Sequence, residues 1–135
     1  MLNDKLINTV PLLLAAIMFF ADEVGAQQIV GSDRHASILC VDGAVFSWGE
    51  NIDGLLGDGT LTEHQGAVRS KVSGVTSLMS KYNGVVAVDE RGDVFVWSGV
   101  ERNQFGMPAW NWIEPLPLKV EHVSGVRKAV AGTAN

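Results

Sequence analysis

The residues of this chain that could carry out chemistry are few and lie apart from one another. No histidine among His35, His64 and His122 is spaced from another histidine, a cysteine or a carboxylate as a metal-ligating pair would be. Asp33 lies near His35, but no serine or cysteine elbow of a hydrolase accompanies them. The sequence therefore predicts no catalytic residue, no metal site and no cofactor, and a chain that is not an enzyme.

The glycine-rich stretch from Gly54 to Gly59 has the composition of a phosphate-binding loop but not its chemistry. It lacks the lysine followed by serine or threonine that such loops need, and no helical pattern follows it. Asn51 and Asp53 have side chains that hydrogen-bond the nearby backbone in turns. The stretch is therefore predicted to be a compact loop with several turns.

Composition limits both the size of the protein and its partners. The chain has 135 residues, enough for one domain, and a net charge of −5 from 10 basic and 15 acidic residues. No run of basic residues is present, which disfavours a nucleic-acid partner. A single cysteine, Cys40, excludes an intramolecular disulfide and a multi-cysteine zinc site, and it is predicted to be a small buried side chain.

The segment at positions 1–26 differs in kind from the rest. An apolar run from Pro11 to Ala21 follows Lys5 and precedes the small residues Gly25 and Ala26. Such a run is too short to span a bilayer stably and is typical of a signal peptide. This pattern favours a leader over 1–26 and a secreted or extracytoplasmic protein. The alternative is that the run belongs to an upstream repeat of a cytoplasmic or nuclear protein.

Beyond the leader, the chain repeats itself at a constant separation, which we call the repeat offset. The repeated pairs are Gly43 with Gly92, Trp48 with Trp97, and Gly57 with Gly106. The triplet Ser-Gly-Val at 73–75 returns at 124–126, two positions later than the repeat offset would place it. A period of about 50 residues made of short strands is typical of a β-propeller.

Each repeat is predicted to form four short strands, so the fold class is all-β, with two propeller-type blades of a partial propeller. The first repeat spans residues 27–75, the second 76–125, and a truncated third begins at 126–135. In the first repeat the strands are predicted near Gln27–Val30, His35–Val41, Ala44–Trp48 and Ala67–Val72. Two blades are too few for a closed propeller of about 4–8 blades, and the open strand edges predict self-association.

The segment that follows Trp48 has a specific pattern. It reads W-G-E-N-I-D-G-L-L-G-D-G and resembles the hallmark W-G-x-N-x-x-G-Q-L-G-x-G of the regulator of chromosome condensation repeat. The second repeat is degenerate, because Ser98 stands where the first has Gly49. The positions that match the motif are His35, Gly43, Trp48, Gly49, Asn51, Gly54, Gly57, Gly59, Gly92, Trp97, Gln104 and Gly106. The resemblance implies a propeller and a structural role for these residues.

Two tryptophans outside this motif are candidates for partner binding. Trp110 and Trp112 lie in the segment Met107–Pro115, which is predicted to hold the two extra residues of the second repeat. Their alternate spacing puts both rings on one side of an extended chain, and exposed tryptophans are good interface anchors. The alternative is that they cap the core of their own blade.

The sequence thus favours a non-enzymatic protein–protein interaction module whose partner it does not name. The resemblance leaves two alternatives open. One is guanine-nucleotide exchange on a small GTPase as part of a larger propeller. The other is a secreted enzyme inhibitor, since the bacterial β-lactamase inhibitory propeller is similar to this family. A partial propeller is expected to be a fragment, a degenerate gene product or a protomer that assembles.

Overall fold

The computed structural model describes residues 25–81, 84–98 and 113–130 of the chain. Two four-stranded antiparallel sheets are present, each with its strands in chain order. Blade one holds β1 (Ala26–Gly31), β2 (His35–Cys40), β3 (Val45–Gly49) and β4 (Val68–Arg69), and blade two holds β5 (Val75–Lys81), β6 (Gly84–Asp89), β7 (Val94–Ser98) and β8 (Leu118–Lys119). The prediction of an all-β fold with two four-stranded blades is confirmed.

The repeat in the sequence is also a repeat in hydrogen-bond register. A bulge follows Ala26 in β1 and Val75 in β5, two positions that are related by the repeat offset. All five residue pairs between β2 and β3 recur between β6 and β7 at the same offset. The two blades therefore share one backbone plan through their first three strands, whatever the side chains.

The outermost strands show where the second repeat is longer. Phe46 lies opposite Arg69 in blade one, whereas its repeat equivalent Phe95 lies opposite Lys119 in blade two, so the outer strand is shifted by one position. One extra residue therefore precedes β8, and the other lies between β8 and Val126, the counterpart of Val75. The prediction that 107–115 holds both extra residues is wrong. Because the outer strand is only two residues long, the connections on each side of it accommodate changes in length.

Close backbone contacts fix the start of each repeat against the hairpin of the one before. Gly43 and Gly92 both have φ +79, and a Cβ there would lie 2.8 Å from the Cα of Gly74 and 2.7 Å from that of Gly125, respectively. The N–H after Gly74 donates to the Gly43 carbonyl at 3.0 Å, and the N–H after Gly125 donates to the Gly92 carbonyl at 3.1 Å. Val126 is therefore bonded to the preceding hairpin in the same way as Val75, while a third repeat from residue 126 stays a prediction.

Blade two is covered on both faces. One hydrophobic cluster lies between the blades and contains Leu39, Val45 and Val72 of blade one with Val75, Leu78, Val85, Ala87 and Trp97 of blade two. The other cluster lies on the opposite face and contains Val86, Val88, Val94, Val96 and Val120, with Val126 and Ala129 packed against it. Alternating side chains of the same strands supply both clusters, as expected for strands buried on two sides.

Polar side chains also cross between strands and between blades. The buried hydroxyl of Ser47 lies 2.8 Å from that of Ser37 and 3.1 Å from that of Ser70, and Ser70 donates to the Leu56 carbonyl at 2.6 Å. Gln28 donates to the Leu78 carbonyl at 2.6 Å and accepts from the Leu78 N–H at 3.1 Å. These bonds satisfy buried polar groups and fix the innermost strands of the two blades side by side.

Ser98 is a strained position in blade two. Its counterpart Gly49 has φ +111, which glycine adopts at little cost, while Ser98 keeps φ at 72. The Ser98 hydroxyl is also buried, and it has no hydrogen-bond partner among the described residues. The degeneracy of the second repeat therefore destabilises it in two ways, through the backbone and through an unsatisfied polar group.

We expect Ser98→Gly to raise the free energy of unfolding by about 1 kcal/mol, because it removes both the left-handed serine and the buried hydroxyl. Urea unfolding followed by circular dichroism measures the change. Ser98→Ala is the matched control, since it removes the hydroxyl and keeps the strain, and it should give a smaller gain. A glycine variant less stable than the alanine variant would contradict this interpretation.

Candidate protein-interaction surface

The loop between β3 and β4 is held by the side chain of Asn51. This amide is fully buried, and it donates to the carbonyls of Thr60 and Thr62 at 3.1 and 2.9 Å. Its oxygen accepts the N–H of Leu56 at 3.0 Å. The Asn51 side chain thus forms hydrogen bonds with loop backbone groups that would otherwise be paired by a neighbouring strand. The loop is therefore ordered without regular secondary structure.

Trp97 of blade two is inserted into this loop of blade one. Its ring is fully buried, and its Nε1 donates to the Leu55 carbonyl at 3.0 Å. A Cβ on Gly57, which has φ +65, would lie 2.8 Å from that nitrogen. Only glycine at position 57 leaves room for the indole, so the loop of one blade is shaped to receive the tryptophan of the next.

The same loop packs against the segment before β8. The N–H of Gly59 donates to the Pro115 carbonyl at 3.0 Å, and a Cβ on Gly54 would lie 2.7 Å from the Pro115 Cα. The N–H of Ser98 donates to the Glu114 carbonyl at 2.7 Å, which ties this segment to β7. Residues 50–61 and 113–116 therefore form one continuous surface built from both blades.

This surface exposes large apolar side chains. Four of the eight exposed large apolar residues in the described part of the chain lie on its two segments, with 44% to 50% of each residue accessible. These four residues, which we name the rim surface, are Ile52, Leu61, Ile113 and Leu116. Sequence reasoning did not identify them, although apolar residues within a loop of polar and turn-forming residues were the available signal.

Ion pairs fasten the start of the loop to the hairpin between β1 and β2. The Arg34 guanidinium pairs with Glu50, and it also lies 3.2 Å from the Asp53 carboxylate. The hydrogen bond to Glu50 raises the pKa of Arg34, and the same bond lowers the pKa of Glu50. Because all three side chains are partly exposed, water screens their attraction, and they orient the loop more than they stabilise it.

A second polar group lies farther along the loop and does not form a catalytic relay. The Nε2 of His64 lies 2.8 Å from the Asp58 carboxylate and 3.3 Å from the Thr60 hydroxyl. A nucleophilic triad needs the two partners on different imidazole nitrogens, so this arrangement does not activate the threonine. Burial raises the pKa of Asp58, but hydrogen bonds from Thr60 and His64 outweigh it, and the pKa is lowered overall.

His35 lies between the two blades. Its residue is 4% exposed, its Nδ1 lies 3.0 Å from the Ser32 hydroxyl, and its Nε2 lies 3.2 Å from the Ser80 hydroxyl of blade two. Burial lowers the pKa of His35, against the charge of Asp33, which raises it. The neutral imidazole therefore bridges the hairpin of one blade and the inner strand of the next.

The other residues that the sequence indicated fall into two groups. Trp48 is partly exposed, and Gly49 lies against Arg34, where a Cβ would be 2.6 Å from the Arg34 carbonyl oxygen. The two tryptophans proposed as partner anchors and two second-repeat motif residues lie outside the described residues, namely Trp110, Trp112, Gln104 and Gly106. Ile113 of the rim surface directly follows Trp112 in the sequence.

Residues 25–81, 84–98 and 113–130 contain no group of three or more His, Cys, Asp or Glu side chains arranged to hold a metal ion. Over the same ranges, no helix has the length and apolar character needed to cross a membrane. Cys40 is a buried free thiol, and burial raises its pKa, which disfavours the reactive thiolate.

Comparison with known proteins gives relatives of one kind. The sequence is similar to RCC1 domain-containing protein 1 of Homo sapiens, with 34% identity over 97 residues, which are 70% of this chain and 26% of that protein. It is also similar to RCC1 domain-containing protein 1 of Mus musculus, with 30% identity over 119 residues, which cover 78% and 32%. The chain spans about a quarter to a third of the length of these curated relatives.

The fold is similar to that of Prp20p from Saccharomyces cerevisiae, whose structure was described with its binding to Gsp1p and histones. The TM-score is 0.62 at 21% identity, and the match covers 75% of this chain and 26% of the yeast chain. Identity at this level is evidence for the fold alone. No protein-family model matches the sequence.

We expect Asn51→Ala to lower the free energy of unfolding by about 2 kcal/mol, because it leaves the buried Leu56 N–H without its partner and removes the bonds to the Thr60 and Thr62 carbonyls. Urea unfolding monitored by tryptophan fluorescence measures the loss. The control is Thr62→Ala, which keeps the backbone carbonyl used by Asn51 and should change stability by less than about 0.5 kcal/mol. Similar losses in both variants would show that Asn51 does not hold the loop.

Stability should fall as the pH drops from about 7 to about 5.5, because the unfolded chain then protonates His35 near its ordinary pKa while the folded chain does not. The lowered pKa of His35 sets this sign. The urea midpoint measured against pH should have a flatter slope in His35→Gln than in the unchanged protein. The exposed His122 provides the control variant His122→Gln, whose slope should stay the same. Equal slopes in all three proteins would contradict a buried neutral His35.

Proposed function

We propose, because this chain belongs to the RCC1-repeat family of β-propeller proteins, that it acts as a non-enzymatic protein–protein interaction module. Propeller blades present loops at the ends of their strands, and proteins of this architecture use such loops to bind other proteins. The relatives are much longer than this chain, so the proposal concerns the two blades and the surface they form together.

The observation that carries this proposal is the contrast between a fixed backbone and exposed apolar side chains on the rim surface. Asn51 and Leu55 are fully buried, while Ile52 between them is 50% exposed. Gly59 and Pro115 join the two segments by a backbone hydrogen bond. A surface that is ordered before binding loses little conformational entropy when a partner docks, and large apolar side chains supply the energy at the centre of an interface.

The experiment is to identify a partner by photo-crosslinking and to rebuild the complex from purified proteins. Ile52→Lys combined with Leu61→Lys should weaken that complex about 100-fold, because two desolvated anchors are replaced by charges. The matched control is Val41→Lys with Val123→Lys, which changes two exposed valines outside the rim surface. Binding that is lost equally in both double variants, or in neither, would contradict a role for the rim surface.

A small GTPase or a histone is a second candidate partner, because Prp20p binds Gsp1p and histones. The net charge of −5 suits a basic protein such as a histone. Release of a fluorescent guanine nucleotide from a panel of small GTPases distinguishes exchange from passive binding. Faster release in the presence of the chain would replace the non-enzymatic proposal, and binding without release would support it.

A further inference from the structure

We propose that the outer edge of blade one, which we define as residues 69–73, binds an extended acidic peptide as an additional strand. This proposal rests on the assignment of the chain as a protein-interaction module, but it concerns other residues than the four of the rim surface, although the Lys71 ammonium lies near Gly59 of the same loop. It specifies the chemistry of a partner segment, which the rim surface does not.

The outer edge of blade one has backbone groups that face away from the sheet. The order of the sheet places β4 last, with β3 as its only neighbour among the described strands. Ser70 donates its N–H inward to the Val45 carbonyl at 2.9 Å. Because successive residues of an antiparallel strand direct their backbone groups to opposite sides, those of Arg69 face away from β3. An extended peptide can pair with such groups, which is how strands are added to a sheet in peptide recognition.

One backbone N–H of this edge already donates a hydrogen bond within the chain, so it is not available to a peptide strand. The N–H of Lys71 donates to the Gly57 carbonyl at 2.7 Å, within the loop that precedes β4. Strand pairing with a peptide is therefore centred on Arg69, and the side chain of Lys71 contributes charge beside it.

The side chains along this edge alternate in burial. Arg69, Lys71 and Ser73 are exposed, while Ser70 and Val72 between them are buried. A shallow, open depression of about 420 Å³ is lined by the same five residues. The strand β4 itself ends at Arg69, but the alternation in burial continues to Ser73, so two cations and a hydroxyl lie on the exposed side of this edge.

The charged side chains of the edge favour an acidic peptide. Elsewhere in the described chain the Arg34 guanidinium pairs with Glu50 and Asp53, and Lys119 pairs with Asp93 at 2.7 Å. Within the same described ranges, Arg69 and Lys71 have no carboxylate within ion-pair distance. Two neighbouring cations without partners in a protein of net charge −5 form a local site for carboxylates.

At the equivalent edge of blade two, the positive charges are paired or replaced. Lys119 takes the place of Arg69 in the register, and it is paired with Asp93, whose counterpart in blade one is Ala44. Glu121, two positions after Lys119, takes the place of Lys71. The same backbone in blade two therefore carries an ion pair and an extra carboxylate, and we expect no acidic peptide to bind there.

A nucleic acid is a poorer occupant than a peptide. Binding to a phosphate backbone draws on several clustered cations, and this edge has two in a chain without a basic run. A nucleic acid would also leave the edge backbone groups without strand-like partners. The peptide uses both the charges and the backbone, so it accounts for more of what the edge presents.

The test is fluorescence anisotropy at low salt with a labelled, capped peptide in which glutamate alternates with threonine. The full chain should bind this peptide, and Arg69→Glu with Lys71→Glu should weaken binding by about tenfold or more. The matched control is Arg127→Glu with Lys128→Glu, which changes the net charge by the same amount at positions outside the edge and should leave the affinity within about twofold.

Further binding measurements distinguish the ways in which the proposal could be wrong. A peptide methylated on alternate backbone nitrogens should bind more weakly, because it cannot pair as a strand. The lysine analogue of the peptide and a single-stranded oligonucleotide should not bind. Equal binding of either, equal loss in both charge variants, or no binding of the acidic peptide would overturn the proposal. The uncharged variant Ile52→Asn with Leu61→Asn changes the rim surface without adding charge near Lys71 and should bind the peptide normally, so a failure of the rim surface and a failure of the edge are distinguishable.

Discussion

The burial of Trp97 in the loop of the preceding blade is the contact on which the rest of this structure depends. The indole is fully buried and bonded to the Leu55 carbonyl, with Gly57 against its ring. A single propeller repeat has no way to bury its own face, so each blade needs the loop and strands of a neighbour. The equivalent Trp48 is partly exposed, whereas Trp97 is fully buried by the loop of blade one.

A shared backbone with different side chains explains both the regularity and the asymmetry of the chain. The register of the first three strands is the same in both blades, yet Gly49 is replaced by Ser98 and Ala44 by Asp93. The first replacement introduces strain, and the second supplies a carboxylate that neutralises Lys119. Because the backbone is held by interblade contacts, these positions vary without loss of the fold, and each blade acquires its own surface chemistry.

The part of the fold that follows from the sequence is the part fixed by local rules and by the period. Glycine at 43 and 92 indicates the hairpins because these turns need positive φ, and the tryptophans indicate the third strand of each unit. The outer strand of blade one is shorter than the predicted Ala67–Val72, because two residue pairs leave little pattern to read. The second extra residue of blade two is misplaced by the sequence for the same reason. The candidate surface is harder to predict, because the exposure of a side chain depends on contacts between residues far apart in the chain. Leu116, for example, is exposed next to Pro115, which packs on Gly54 of the other blade.

The residues that stabilise the loop are different from the residues that are available to a partner. Within the loop, the groups that hold the backbone are buried, and the groups available to a partner lie on the other side of the same few residues. We therefore expect substitution of Ile52 or Leu61 to leave the hydrogen bonds of the Asn51 side-chain amide in place. Substitution of Asn51 removes those bonds and changes the loop itself. The exposed cations of the outer edge of blade one are separate again, because Arg69 and Lys71, unlike the neighbouring Val72, take no part in either hydrophobic cluster. A scaffold organised in this way can change its partners by surface substitution while its interblade core stays the same.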